Sequence, residues 1–149
     1  MTLKDKLYQQ CQFFLNKRLE AIQNNISDIQ NSLESETKSS AGDKHETARA
    51  MLQIDREKAG HQLADIEKQQ EILNKINLNS TFQNIAFGSL VYTTQFNYFI
   101  AISAGEIAIE NKKYYAISSG TPIAQLLLSK QVGDSIQFRD SKFTITEIL

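Results

Sequence analysis

The chain has one cysteine, Cys11, one proline, Pro122, and no apolar run long enough to cross a bilayer. A single thiol cannot close an internal disulfide, and no paired Cys/His spacing offers a structural metal site, so a reducing, cytoplasmic compartment is expected. No signal-like apolar segment follows Met1, and neither secretion nor membrane insertion is expected. Excess charge of either sign is missing too. With 16 Lys and Arg against 17 Asp and Glu and no long run of like charge, any contact with nucleic acid has to be local.

The first half also lacks residues that the second half has. Up to Asn77 there is no Pro and no Val, and the only glycines are Gly42 and Gly60; after Leu78 the chain turns rich in Ile, Phe, Tyr, Thr and Ser. A shift of this kind within 149 residues fits a non-globular arm followed by a small domain. The expected division is residues 1–78 and residues 79–149.

Apolar residues in the arm recur in alternating steps of three and four: Leu3, Leu7, Cys11, Phe14 or Leu15, Leu19, Ile22, Ile26, Ile29 and Leu33, with Phe13 beside the stripe. A second stripe runs through Ala48, Leu52, Ala59, Leu63, Ile66, Leu73 and Ile76. Such narrow stripes are coiled-coil seams, and the short loop between them folds the helices back antiparallel. Two helices of about 30 residues would each run roughly 45 Å. Asp55 falls where the second stripe would take an apolar residue.

The loop Ser39, Ser40, Ala41, Gly42, Asp43, Lys44, His45, Glu46, Thr47 brings two carboxylates to the hairpin tip. Asp43 and Glu46 have the spacing of a capping box, with an N-cap acid and a reciprocating acid at N3, and both suit the positive end of a helix dipole. A structural role and a functional one are both open on spacing alone. A helix cap does not require a long stalk.

After Ser80 the period becomes two. Strands are expected at Ala86–Thr94, Tyr98–Ser103, Glu106–Glu110, Tyr114–Ser118, Ser135–Arg139 and Lys142–Ile148. Thr121 reads as an N-cap and Pro122 as N1 of a short apolar helix over Ile123–Lys130. The expected fold class is therefore α+β, a helical hairpin followed by a small antiparallel sheet with one helix. This second part has no Cys and no His, and its acids Glu106, Glu110, Asp134, Asp140 and Glu147 fall mostly at turns or strand ends. Phe96, Tyr98, Phe99, Tyr114 and Tyr115 read as sheet faces.

Taken in order, these segments resemble the bacterial Gre transcript-cleavage factors, which have an N-terminal coiled-coil hairpin and an FKBP-like C-terminal domain. Gly42, Asp43, Lys44, His45, Glu46, Thr47 and Ala48 resemble that family's Gly-Asp-x-x-Glu-Asn-Ala tip, and Asp65, Ile66 and Glu67 fall at a similar place in the second helix. Phe87, Gly88, Ser89, Leu90 and Val91 resemble its first strand. Ser118 to Lys130 resemble its Ser-Pro-Ile helix, and Val132, Gly133 and Asp134 the turn after it. The resemblance spans nearly the whole chain.

What the resemblance implies is a transcription elongation factor that binds RNA polymerase and inserts its hairpin into the secondary channel, stimulating cleavage of backtracked RNA. Asp43 and Glu46 would act within the polymerase active centre and share its Mg²⁺ there, with no cofactor in the free protein. Lys44, His45 and Thr47 would pack the tip. The implied partners are RNA polymerase and, by local contact, the nascent RNA 3′ end, with no membrane and a monomeric state. This sequence departs from the family at Thr47 in place of Asn, at Ala50 and Met51 in place of an aromatic residue, and in having only Lys4, Lys6, Lys17 and Arg18 where the family has a basic patch. A channel-binding inhibitor without cleavage activity therefore stays open. So do a prolyl isomerase, suggested by the FKBP-like fold alone, and a plain coiled-coil adaptor.

Overall fold

The computed structural model describes residues 1–38 and 42–149; Ser39, Ser40 and Ala41 of the tip loop, and the side chains of Thr37, Lys38 and Asp43, lie outside the described residues. Two long helices, α1 (Leu3–Lys38) and α2 (Asp43–Asn74), precede β1 (Leu90–Thr93), β2 (Tyr98–Ala101), β3 (Gly105–Ile109), β4 (Lys112–Ser118), α3 (Pro122–Leu127), β5 (Ser135–Phe138) and β6 (Ser141–Ile148). This is the expected α+β order, a helical hairpin and then a sheet with one short helix. Two compact units form: Leu15–Gln70, and Met1–Phe14 together with Glu71–Leu149.

In the unit Leu15–Gln70 the apolar stripes become the seam. Leu15, Ile29, Ala59 and Ile66 are buried, and Leu19, Ile22, Ile26, Leu33, Leu52 and Leu63 are half-buried beside them. Leu15, at 1% exposure, takes the seam position left open between it and Phe14. The Arg18 guanidinium donates to Gln69 Oε1 at 3.5 Å and stands 3.8 Å from Asp65 Oδ2, while His45 Nδ1 lies 2.9 Å from Glu36 Oε2. Partners that move down one helix as they move up the other define an antiparallel pair.

Asp55 is exposed, and Arg56 beside it is half-buried. A Cβ built on Gly60 would stand 3.4 Å from Arg56 Nη1, so the arginine lies along a glycine-flattened stretch of the helix. The polar residue that falls in the stripe is thus left at the surface.

The second unit holds one six-stranded sheet in the order β3-β4-β2-β1-β6-β5. It is mostly antiparallel as expected, except that β2 and β4 run parallel, with Tyr98 opposite Tyr115 and Ala101 opposite Ser118. The cause is the β3–β4 hairpin. The chain leaves β2, passes outward along β3 and returns as β4, which inserts next to β2 and so runs in the same direction. Glu110 and Asn111 form the hairpin loop with φ of 51° and 66°, the left-handed pair that a two-residue type I′ turn requires.

The strand expected from Ala86 is shorter in the structure and starts at Leu90. Ahead of it the Ser89 amide donates to Ala86 O at 3.0 Å and the Ala86 amide donates to Ser89 Oγ at 2.9 Å, closing a turn around Gly88, whose φ is +93°. The α3 cap forms as the sequence indicates. Thr121 Oγ1 accepts from the Ala124 amide at 3.3 Å, and Pro122 opens the helix.

One face of the sheet packs Val91, Tyr98, Ile100, Ile136, Phe143 and Ile145 with Ile85 and with Leu127 of α3. Leu7, Cys11, Leu73, Leu90 and Phe99 are also fully buried and lie outside that cluster. The first turns of α1 are tied to the segment before the sheet, where Lys4 Nζ donates to Ser80 O at 3.1 Å and sits 5.0 Å from the Phe82 ring centre. Among the described residues no helix is long and apolar enough to cross a membrane.

Burial pushes the Cys11 thiol up to about 12, so at neutral pH the nucleophilic thiolate is essentially absent in the folded state. Iodoacetamide should leave the native protein unlabelled on a timescale that fully modifies the same protein in denaturant. Equal labelling rates in the two conditions would contradict the packed position of Cys11.

Candidate functional site

The candidate site is the turn that joins α1 to α2. The Gly42 carbonyl accepts from the His45 amide at 3.0 Å and from the Glu46 amide at 3.1 Å. A residue whose carbonyl takes the first intrahelical bond is the N-cap, so Gly42 is the cap, Asp43 is N1, His45 is N3 and Glu46 is N4. The capping box read from the sequence is therefore out of register by one residue. Gly42 has no side chain to accept from N3, and glycine is tolerated at the cap without one. Both acids remain in the first turn, where the helix dipole favours negative charge.

Asp43 begins α2, and its side chain lies outside the described residues. Glu46 is exposed, as are Lys44 and Thr47, whereas His45 is half-buried. At about 100° per residue, positions 43 and 46 fall roughly 60° apart on one helix face, and position 45 points well away from both. His45 turns instead to the last turn of α1, where its Nδ1 meets Glu36 Oε2 at 2.9 Å with side chains 44% and 28% exposed. The first turn of α2 thus leaves Glu46 to solvent while His45 faces α1 through a polar pair.

Glu36 was not singled out by the sequence pattern. The apolar stripe of α1 ends at Leu33, but one further step of three reaches Glu36, just as one step of three back from Ala48 reaches His45. Continuing each stripe past its last apolar member would have found the pair.

The remaining candidates have local roles. Lys4 is buried, Lys6 pairs with Glu110 at 2.8 Å, and Arg18 serves the seam, so these three are engaged within their own units. In the sheet, Glu106 pairs with Lys113 at 3.3 Å and Asp134 Oδ2 accepts from the Gln131 amide at 2.8 Å. Among the described residues no group of three or more His, Cys, Asp or Glu side chains comes together to hold a metal ion.

The chain is similar to a solved transcription factor. The structure is that of the transcription factor Gfh1, 18% identical in sequence, with 90% of each chain covered and a TM-score of 0.35. No protein-family model matches the chain, and no curated protein matches it.

Proposed function

We propose that this chain is a Gre-like transcription elongation factor that binds RNA polymerase, inserts its helical hairpin into the secondary channel and stimulates hydrolysis of backtracked RNA by the polymerase. The observation that carries this reading is the exposure of Glu46 on the first turn of α2, which Asp43 opens, while the neighbouring His45 turns to Glu36 of α1.

The donor set fits Mg²⁺ in one way only. Mg²⁺ takes oxygen ligands, keeps several waters and is commonly held by one or two carboxylates together with groups from elsewhere. Asp43 and Glu46 are residues of that kind, and the described residues hold no third partner to make a closed site. The ion, when shared with the polymerase, supplies charge stabilisation for an in-line displacement. What the chain contributes is the delivery and orientation of two carboxylates, so it is not itself an enzyme.

The test is addition of the purified protein to a stalled, backtracked elongation complex of its cognate polymerase. The expected result is release of short RNA 3′ fragments and resumed elongation. Intact RNA, combined with displacement of a cleavage factor from the same polymerase, would replace this reading with that of a channel-binding modulator.

A further inference from the structure

We infer that Glu36 and His45 form the last layer of the hairpin seam, and that this pair is a positioning device fixing which way the two acidic positions of the tip face. The inference rests on the function proposed above for Asp43 and Glu46, and it adds a residue of α1 to that function.

The argument starts from the seam. Leu33 on α1 and Ala48 on α2 are the last apolar members before the turn, and both are half-buried. Glu36 and His45 are the next residues in the same three-residue step, and they meet at 2.9 Å. A polar pair at the end of an apolar seam gains its mutual hydrogen bond in one facing arrangement, whereas apolar side chains tolerate sliding and rotation. Polar residues at seam positions specify register for that reason.

Rotation of the first turn of α2 decides where the acids lie. With position 45 held toward α1, positions 46 and 43 fall about 100° and 160° around the helix in the same sense, both away from the seam. The two backbone bonds to Gly42 O hold the start of α2, and neither bond refers to α1. The pair is a side-chain contact across the turn, between residues nine apart in sequence, and it refers the rotation of one helix end to the other.

The experiment has two arms on the full-length chain. In the first, amide exchange is followed in the free protein for Glu36→Ala, His45→Ala and Glu36→Gln. The alanine variants should exchange about tenfold faster at the amides of positions 45 and 46, with Ala59 to Ile66 unchanged, because local opening is confined to the turn. Glu36→Gln keeps an acceptor for His45 and should stay near the wild-type protein.

In the second arm the same variants act on the backtracked complex. Misplaced reacting groups lose rate rather than affinity. Both alanine variants should therefore lower the cleavage rate at saturating factor by about tenfold or more, leaving half-saturation by factor unchanged, and Glu36→Gln should restore most of the rate. Unchanged exchange at positions 45 and 46, unchanged cleavage, or a defect confined to half-saturation would each overturn the positioning role. If the wild-type protein gives no cleavage, the proposed function fails instead, and the exchange arm alone still decides whether the pair holds the turn.

Discussion

Glu46→Gln should leave the hairpin folded and polymerase affinity close to that of the wild-type protein, yet lower RNA cleavage by at least about tenfold at limiting Mg²⁺, since even residues that only orient a metal's ligands cost that much when changed. Asp43→Asn should behave alike. Both substitutions keep side-chain size and hydrogen-bonding oxygen while removing the charge that a hard cation needs. The cap argument cannot mimic this outcome. Gly42 is the N-cap, so neither acid contributes the capping carbonyl, and loss of charge in the first turn of a helix costs only about 0.3–1 kcal/mol at an exposed site. Raising Mg²⁺ should recover part of the cleavage. Circular dichroism and a polymerase-binding titration guard the comparison; full cleavage activity in both variants would leave the acids as charges that merely suit the dipole.

The parts of this molecule that follow a local period were legible in the sequence. Leu15, Ile29, Ala59 and Ile66 are buried because steps of three and four keep them on one helix face, and the strands from β3 onward lie within a residue or two of the expected positions because alternation exposes one face at a time. Thr121 and Pro122 open α3 because their chemistry is specific to a helix start. What the sequence hid is non-local. Nothing in the residues of β2 and β4 says that they lie side by side, since that neighbour relation is made by β3 turning back at Glu110 and Asn111. The composition change near Asn77 reports where helix gives way to sheet, but not that Leu7 and Cys11, more than sixty residues earlier, belong to the same compact unit as the sheet.

The tip shows the same division at smaller scale. Residue types located the acids, yet the backbone moved the cap from Asp43 to Gly42, because a cap is defined by which carbonyl takes the first bond. A side-chain spacing of three fits both Asp43 at N-cap with Glu46 at N3 and Asp43 at N1 with Glu46 at N4. Glu36 escaped for a related reason. A search for apolar periodicity stops where the period is continued by a polar residue, and that is where the seam ends in a hydrogen-bonded polar pair.

The largest effect on stability is expected from Phe99→Ala. Phe99 is fully buried in β2, an interior strand whose four residues are all buried, and its backbone neighbours are Leu90 on one side and Ala116 on the other. Strand alternation sets it on the face opposite Tyr98 and Ile100, which pack toward Leu127 of α3, so both faces of β2 are covered. Truncation there loses the transfer free energy of the ring and leaves a cavity that a doubly covered sheet is poorly placed to collapse, a combination that costs about 3–5 kcal/mol. Ile54→Ala is the matched control, since Ile54 is 53% exposed and a surface truncation should stay within about 0.5 kcal/mol. Chemical denaturation followed by tyrosine fluorescence reads the sheet unit, because four of the five tyrosines lie between Tyr92 and Tyr115. A midpoint for Phe99→Ala indistinguishable from that of Ile54→Ala would mean that β2 is not the closed interior strand that its burial describes.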